Sequence, residues 1–354
     1  MGLETFWRDA VGVRTRITAA PRARQVEWYQ LADGALELAS EEPAFNQRFE
    51  ELYGECRCTA PSRADAARVR CLIRTDPAST LTLVTFEDPE PLDAIAFALH
   101  VFAKRGYREQ PSPIAGWRLL EGSGVMAFSE GDVLVERTAA WQRFVGNFAV
   151  NRVLRLQRET VFFHAAAVRL GTRGVLMLGP KGAGKTTLAL ALSAQGCGFL
   201  GDELVGVRLR TRELVAIRRA AFVKPGPAAR AVHTALGTAR GTATERFPDG
   251  SVRHRVVVNK LFGTPLADSA SLAAIVWLRG FAATPRLTPL PPTRQRVAEL
   301  SPLACSLWGV PAGRRVVELM RLVAETPCYA LEAGDPDETA DRVAGMLEDR
   351  WDYR

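Results

Sequence analysis

Apolar and polar positions along the first 160 residues fall into short stretches of two different periods. Residues 68-RVRCLIR-74 and 80-TLTLVTF-86 are rich in apolar and β-branched side chains, and Asp76-Pro77 punctuates the gap between them, so both predict strands. Residues 43-PAFNQRFEELYG-54 predict a helix ended by Gly54. Residues 91-PLDAIAFALHVFAKRG-106 predict another, with Pro91 in the first turn and Gly106 past the end. Two or three strands are expected between Gly116 and Thr138. From about Ala140 to Arg158 the apolar residues recur at helical spacing, which predicts a helix leading into a second domain.

From about residue 160 the texture changes. Residues 161-VFFHAAAV-168 and 174-GVLMLG-179 predict two buried strands joined as a hairpin, followed by a glycine-rich loop and the helix 186-TTLALALSAQG-196, closed by Gly196. A second hairpin is expected from 204-LVGVRL-209 and 214-LVAI-217, and later strands at 254-HRVVVN-259 and 272-LAAIVWLRG-280. The chain closes with a helix near 313–325, a strand 328-CYALEAG-334 and a final helix. That last helix opens Asp335-Pro336-Asp337-Glu338, which supplies an N-cap, a first-turn proline and first-turn acids. These patterns give an α+β N-terminal domain over 1–157 and an α/β domain with a mixed sheet over 158–354.

Composition narrows the class. With 354 residues, 47% hydrophobic and 24% charged, the chain has the profile of a soluble globular protein of two domains. Its longest apolar runs are far shorter than the about 20 residues that span a bilayer, and the opening MGLETFWRDA lacks the apolar core of a signal peptide. The expectation is a cytoplasmic protein with no membrane partner. The formal charge of +7 is carried by scattered arginines, with only five lysines and no basic tail, so nucleic acid is not an expected partner; an anionic ligand suits the excess equally well. Six cysteines (56, 58, 71, 197, 305 and 328) form no C-x-x-C pair, and the four histidines lack ligand spacing, so reduced thiols rather than a metal centre are expected.

The segment Gly179-Pro180-Lys181-Gly182-Ala183-Gly184-Lys185-Thr186 matches G-x-x-x-x-G-K-[ST], with Thr187 following. Glycines at 182 and 184 let successive N–H groups turn inward toward phosphate oxygens, and the helix that follows adds the positive end of its dipole. Lys185 is the expected partner of the β- and γ-phosphates, and Thr186 offers a hydroxyl to Mg²⁺. Lys181 is either a solvated neighbour or a further phosphate contact. A site of this kind also needs an acid at a strand end. The apolar stretch 198-GFLGDE-203 supplies Asp202 and Glu203, 17 and 18 positions after Lys185. That short spacing, with no LSGGQ-like signature, argues against transport and motor ATPases.

The segment 164-HAAAVRLGTRGVLMLGPKGAGKTTLALALSAQGCGFLGDELVGV-207 resembles the catalytic domain of the HPr kinase/phosphorylase family and its smaller kinase relatives. The family pattern is a His-containing strand, a hairpin, the phosphate loop, a helix and then an acid pair; phosphoenolpyruvate carboxykinases, more distant cousins, carry a similar Gly-Asp-Asp-Glu. The resemblance is strong over about 161–210, weaker through 272–280 and from Cys328 onward, and absent from 1–150. It implies that Lys185 and Thr186 bind phosphate and Mg²⁺, that Asp202 takes the proton of an acceptor hydroxyl, that Glu203 attends the metal, and that His164 lies near the acceptor; a structural histidine is the alternative for the last. It also implies homo-oligomers built through the catalytic domain.

Two departures matter. The second acid is Glu203 rather than aspartate, one methylene longer, so direct metal contact is expected where relatives use water. The Gly-rich signature that follows the hairpin in true HPr kinases is replaced by 218-RRAAFVKPG-226, so HPr is not the expected substrate. Lys224 stands where related small kinases place a lysine, as a phosphate or substrate contact or a solvated strand end. Arg253 and Arg255 flank His254 as a second anion-binding candidate. The expected activity is transfer of the γ-phosphoryl group of ATP to a Ser or Thr hydroxyl of a protein or peptide, including precursor peptides of ribosomal natural products. A small-molecule kinase and a non-catalytic nucleotide sensor remain the alternatives.

Overall fold

The computed structural model describes residues 3–18, 25–60, 67–88, 106–129, 131–138, 141–228, 230–238, 242–247, 250–305 and 309–349. The chain divides into two units, Met1–Leu156 and Gln157–Arg354. Both are mixtures of helix with a large sheet.

In the first unit, α1 (Leu3–Thr18) precedes the hairpin β1 (Gln25–Leu31) and β2 (Gly34–Ser40), and α2 (Pro43–Tyr53) leads to β3 (Arg57–Cys58), β4 (Ala67–Thr75) and β5 (Leu81–Glu87). Then come β6 (Arg108–Gln110), β7 (Arg118–Glu121), β8 (Val125–Phe128), β9 (Asp132–Glu136) and α3 (Trp141–Arg155). The sheet runs β3-β1-β2-β4-β5-β9-β8-β7-β6, with β2 and β4 its parallel pair. A period of two sorts β5 between faces. Leu81 and Leu83 meet Phe6, Trp7, Ala10 and Val13 of α1, while Val84 and Phe86 face Phe144, Val145 and Phe148 of α3. Such burial is worth about 1.5–3 kcal/mol per large apolar side chain. The strands expected at 68–74 and 80–86 and between 116 and 138 are present, with β1, β2, β3 and β6 in addition. Gly54 ends α2 in a right-handed conformation and opens a short 3₁₀ turn rather than adopting a left-handed cap. The helix expected over 91–106 lies almost wholly outside the described residues.

The second unit is built around the sheet β10-β14-β15-β19-β12-β11-β13. Its strands are β10 (Thr160–Phe163), β11 (Ala166–Leu170), β12 (Arg173–Leu178), β13 (Gly198–Gly201), β14 (Val205–Arg208), β15 (Glu213–Val215) and β19 (Ser269–Phe281), and β21 (Cys328–Ala333) pairs with β19 as well. Strand β20 (Arg286–Leu290) pairs in turn with β21. A small separate sheet holds β16 (Ala221–Val223), β17 (Ala243–Arg246) and β18 (Val252–Val256). The helices are α4 (Lys185–Ala194), α5 (Arg230–Thr238), α6 (Val258–Phe262), α7 (Arg294–Leu300), α8 (Ala312–Glu325) and α9 (Pro336–Asp349).

Two expected strands end early. The run 161–168 is not continuous, because the chain breaks at His164-Ala165. Strand β10 then pairs with β14, while β11 pairs with β12 and β13. The run 254–259 stops at Val256, because Val258–Phe262 coils into α6, whose Asn259 bonds the backbone of Phe199. The apolar pattern of both runs records burial, which strand and helix share.

Alternation along β12 divides the core of this unit. Val175 and Met177 face the layer of α4 and α9 with Leu188, Leu192, Val343 and Leu347. Leu176 and Leu178 face the opposite layer with Leu300, Leu319 and Leu322 of α7 and α8. The neighbours of β12 set up the site. Strand β12 runs parallel to β19, and β19 parallel to β21, while β11 is antiparallel to both β12 and β13. The carboxyl ends of β13, β12, β19 and β21 therefore share one edge of the sheet, the edge where ligands bind in open α/β sheets.

Candidate functional site

The chain leaves β12 at that edge and forms the glycine-rich loop 179–184 before entering α4. Gly179 has φ +154°, and a Cβ there would lie 2.9 Å from the carbonyl oxygen of Leu278 and 3.1 Å from the Ala183 Cβ. The loop can pass β19 this closely only with glycine. Gly184 caps α4 with φ +96°, and Gly182 has φ +89°. Ala183 donates to the Pro180 carbonyl at 3.2 Å, closing the turn.

Lys185, 8% exposed, folds back inside this loop. Its ammonium donates to the Gly179 carbonyl at 2.8 Å and the Pro180 carbonyl at 3.1 Å. Burial holds it below the ordinary lysine range, against the opposing pull of Asp202 and then Glu203. An ammonium held among carbonyls by two hydrogen bonds has a third proton to donate, which makes it ready for an anion entering the loop.

The acid pair sits at the end of β13. Asp202 is buried, and its Oδ2 accepts from the Thr186 hydroxyl at 2.8 Å. Burial pushes this carboxyl above the ordinary range, the Glu203 charge adds to the rise, and the hydrogen bonds from Thr186 and the backbone together with Lys185 oppose it. Its ordinary value would leave it fully ionised at neutral pH; the buried setting moves it toward the range useful to a proton acceptor.

Glu203 has φ +68°, a left-handed conformation that costs a non-glycine residue on the order of 1 kcal/mol. The turn sends the two acids apart. The Glu203 carboxylate is half exposed and pairs with Arg219 at 2.8 Å, and its carbonyl accepts from the Nδ1 of His164 at 3.0 Å. A carbonyl only accepts, so Nδ1 carries a proton in this contact.

These groups line one cleft of ≈ 460 Å³. Its walls include His164, Lys181, Gly182, Gly184, Lys185, Thr186, Thr187, Asp202 and Glu203, with Lys224 and Arg253 arriving from the small sheet. Lys224 is exposed. Arg253 is held by stacking on Phe247, 3.9 Å from the ring centroid, and by Ser251. Arg255 does not line the cleft. It is buried, and Glu245 takes its charge at 2.8 Å, so this candidate anion contact is a structural ion pair. Arg219, Phe222 and Phe281 were not singled out from the sequence. Arg219 acts through Glu203, a pairing no spacing announces, and Phe281 could have been noticed as an aromatic at the carboxyl end of a predicted strand.

The donor set suits Mg²⁺. A buried carboxylate and a hydroxyl lie 2.8 Å apart with a second carboxylate next in sequence, and this cation takes one or two carboxylates plus phosphate and water oxygens. Among the described residues no group of three or more His, Cys, Asp or Glu side chains could hold a metal by itself. All six cysteines are free thiols. No helix among the described residues is long and apolar enough to cross a membrane.

No family model matches the chain, and no curated protein matches it. Among solved structures it is similar to the HPr(Ser) kinase/phosphatase from Coxiella burnetii, with 13% identity and a TM-score of 0.27 over 54% of this chain and 94% of that one. A likeness this slight carries no argument, and the reading of the site rests on its geometry.

Proposed function

We propose that the second unit is an ATP-dependent kinase that transfers the γ-phosphoryl group to a Ser or Thr hydroxyl of a protein or peptide. The observation that carries the reading is the 2.8 Å hydrogen bond between Thr186 in the loop helix and the buried Asp202. It joins a phosphate cradle to a carboxylate that holds a proton more readily than usual. The loop N–H groups and Lys185 hold the β- and γ-phosphates. Thr186 and Asp202 would hold Mg²⁺, which neutralises phosphate charge when bound.

The acceptor oxygen attacks the γ-phosphorus as the bond to the β,γ-bridging oxygen breaks. ADP leaves, and the hydroxyl proton passes to Asp202. His164, tied through Nδ1 to the Glu203 carbonyl, and Lys224 with Arg253 orient the acceptor side. The cleft volume of ≈ 460 Å³ is that of a pocket for one drug-sized ligand. The nucleotide therefore takes most of it, and the acceptor hydroxyl enters beside His164, Lys224 and Arg253 from a chain laid across its mouth. That favours a peptide over a small molecule.

The test is incubation with γ-labelled ATP, Mg²⁺ and Ser/Thr-containing peptides encoded by neighbouring genes. Label on a peptide, lost with Asp202→Asn and Lys185→Ala, is the expected result. ATP binding with no transfer to any acceptor would sink the kinase reading and leave a nucleotide sensor.

A further inference from the structure

The carboxyl edge of the sheet is chemically lopsided. Beside β13 the cleft wall carries His164, Asp202 and Glu203, and the small sheet adds Lys224 and Arg253. On the β19 and β21 side it carries Leu278, Phe281, Ala333, Gly334, Pro336 and Thr339, with no charged side chain. Phe281 is 71% exposed, although the strand it ends is buried from Ala274 to Leu278. Its backbone is pinned by pairing with Ala333, and Ala282 donates to the Ala333 carbonyl at 2.8 Å. A Cβ built on Gly184, the residue that caps α4, would lie 3.9 Å from Phe281 Cε1. An open aromatic ring thus stands at the loop, on the flank away from the acid pair.

We propose that Phe281 is the stacking platform for the nucleobase, and that the cleft holds purine nucleoside triphosphates without distinguishing adenine from guanine. The inference rests on the nucleotide-binding reading above. Phosphates in the loop with the γ-group toward Asp202 leave the base to the neutral flank. An aromatic face holds any base, because every base has a π-face; discrimination needs polar groups placed at its edge. Among the side chains that line that flank only Thr339 is polar, and its hydroxyl is already engaged: it donates to the Asp335 carbonyl at 2.7 Å and accepts from the Gly334 N–H at 3.0 Å.

The experiment is calorimetric titration of the full chain with ATP, GTP and inorganic tripolyphosphate, each with Mg²⁺, for the wild type, Phe281→Ala, Phe281→Trp and Lys185→Ala. Wild-type Kd values for ATP and GTP should agree within about threefold. Phe281→Ala should weaken both by about tenfold, leave tripolyphosphate unchanged, and be rescued by Phe281→Trp. A preference for one purine above about thirtyfold overturns the lack of discrimination. Unchanged nucleotide affinity in Phe281→Ala, or an equal loss for tripolyphosphate, overturns the platform. If the wild type binds none of the three, or Lys185→Ala binds all as well as the wild type does, the nucleotide-binding reading itself fails and takes this proposal with it.

Discussion

The Thr186 hydroxyl donates to Asp202 Oδ2 at 2.8 Å, across 16 positions of sequence. The contact ties the first turn of α4 to the end of β13 and settles which of two adjacent acids faces the loop. Glu203, the neighbour, is turned out to Arg219.

Asp202→Asn keeps an acceptor for the Thr186 hydroxyl but removes the proton sink. Phosphoryl transfer to the peptide that takes label should fall by about 10²–10⁴-fold, while ATP affinity changes by less than about tenfold. Parallel single-turnover and equilibrium binding measurements separate the two; an equal loss in both would make Asp202 a binding group rather than a base.

The same carboxyl links stability to pH. Its folded pKa lies above the ordinary 3.8, so between those two values the folded chain binds more protons than the unfolded chain. The contribution of Asp202 to stability is then largest at low pH and is lost as pH rises through the window from 3.8 to the folded value. The difference in unfolding free energy between wild type and Asp202→Asn should therefore fall with rising pH there, by at most about 1.4 kcal/mol per unit, and flatten above it. Denaturant titrations across that range provide the check, and a difference that grows with pH contradicts the burial argument.

Lys224 follows β16 of the small sheet and lines the cleft. Lys224→Ala should raise KM for the peptide acceptor by about tenfold, the loss of one charge-assisted hydrogen bond, with ATP affinity unchanged. An increase confined to the Kd of ATP would move Lys224 to the nucleotide.

In the first unit, Arg152 and Asp88 form a buried pair, with Arg152 Nε 2.6 Å from Asp88 Oδ2 and its guanidinium over the Phe86 ring. Burial pushes Asp88 up while Arg152 pulls it down. Arg152→Ala would strand a buried carboxyl and should lower stability by about 3–5 kcal/mol, read as a drop in denaturant midpoint. A change under about 1 kcal/mol would mean that Asp88 finds water once its partner is gone.

Much of the second unit was legible from its residues, because the controlling interactions are local. Glycine at 179, 182 and 184, an apolar run before them and a helix former after them yield strand, loop and α4 from backbone sterics alone. The strands near 68–74, 80–86, 272–280 and 328–334 follow from short apolar runs and their punctuation. Helix α1 was not among the expected elements, although its buried positions Phe6, Trp7, Ala10 and Val13 recur at helical spacing. Strand β20 was hidden by Arg286 and Pro289, which an exposed edge strand tolerates.

By itself, then, the sequence determined a glycine loop between a buried strand and a helix, with an acid pair one strand later, since each is set by neighbours within a few residues. Only the tertiary structure decided how those acids are used. The left-handed turn at Glu203 sends Asp202 inward to Thr186 and the Glu203 carboxylate out to Arg219. It likewise decided that Arg255 is spent on Glu245 while Arg253 reaches the cleft, and that Phe281 stands open beside Gly184. Side chains adjacent in sequence differ in what they meet across the sheet, and that depends on strand order and register, which no local pattern encodes.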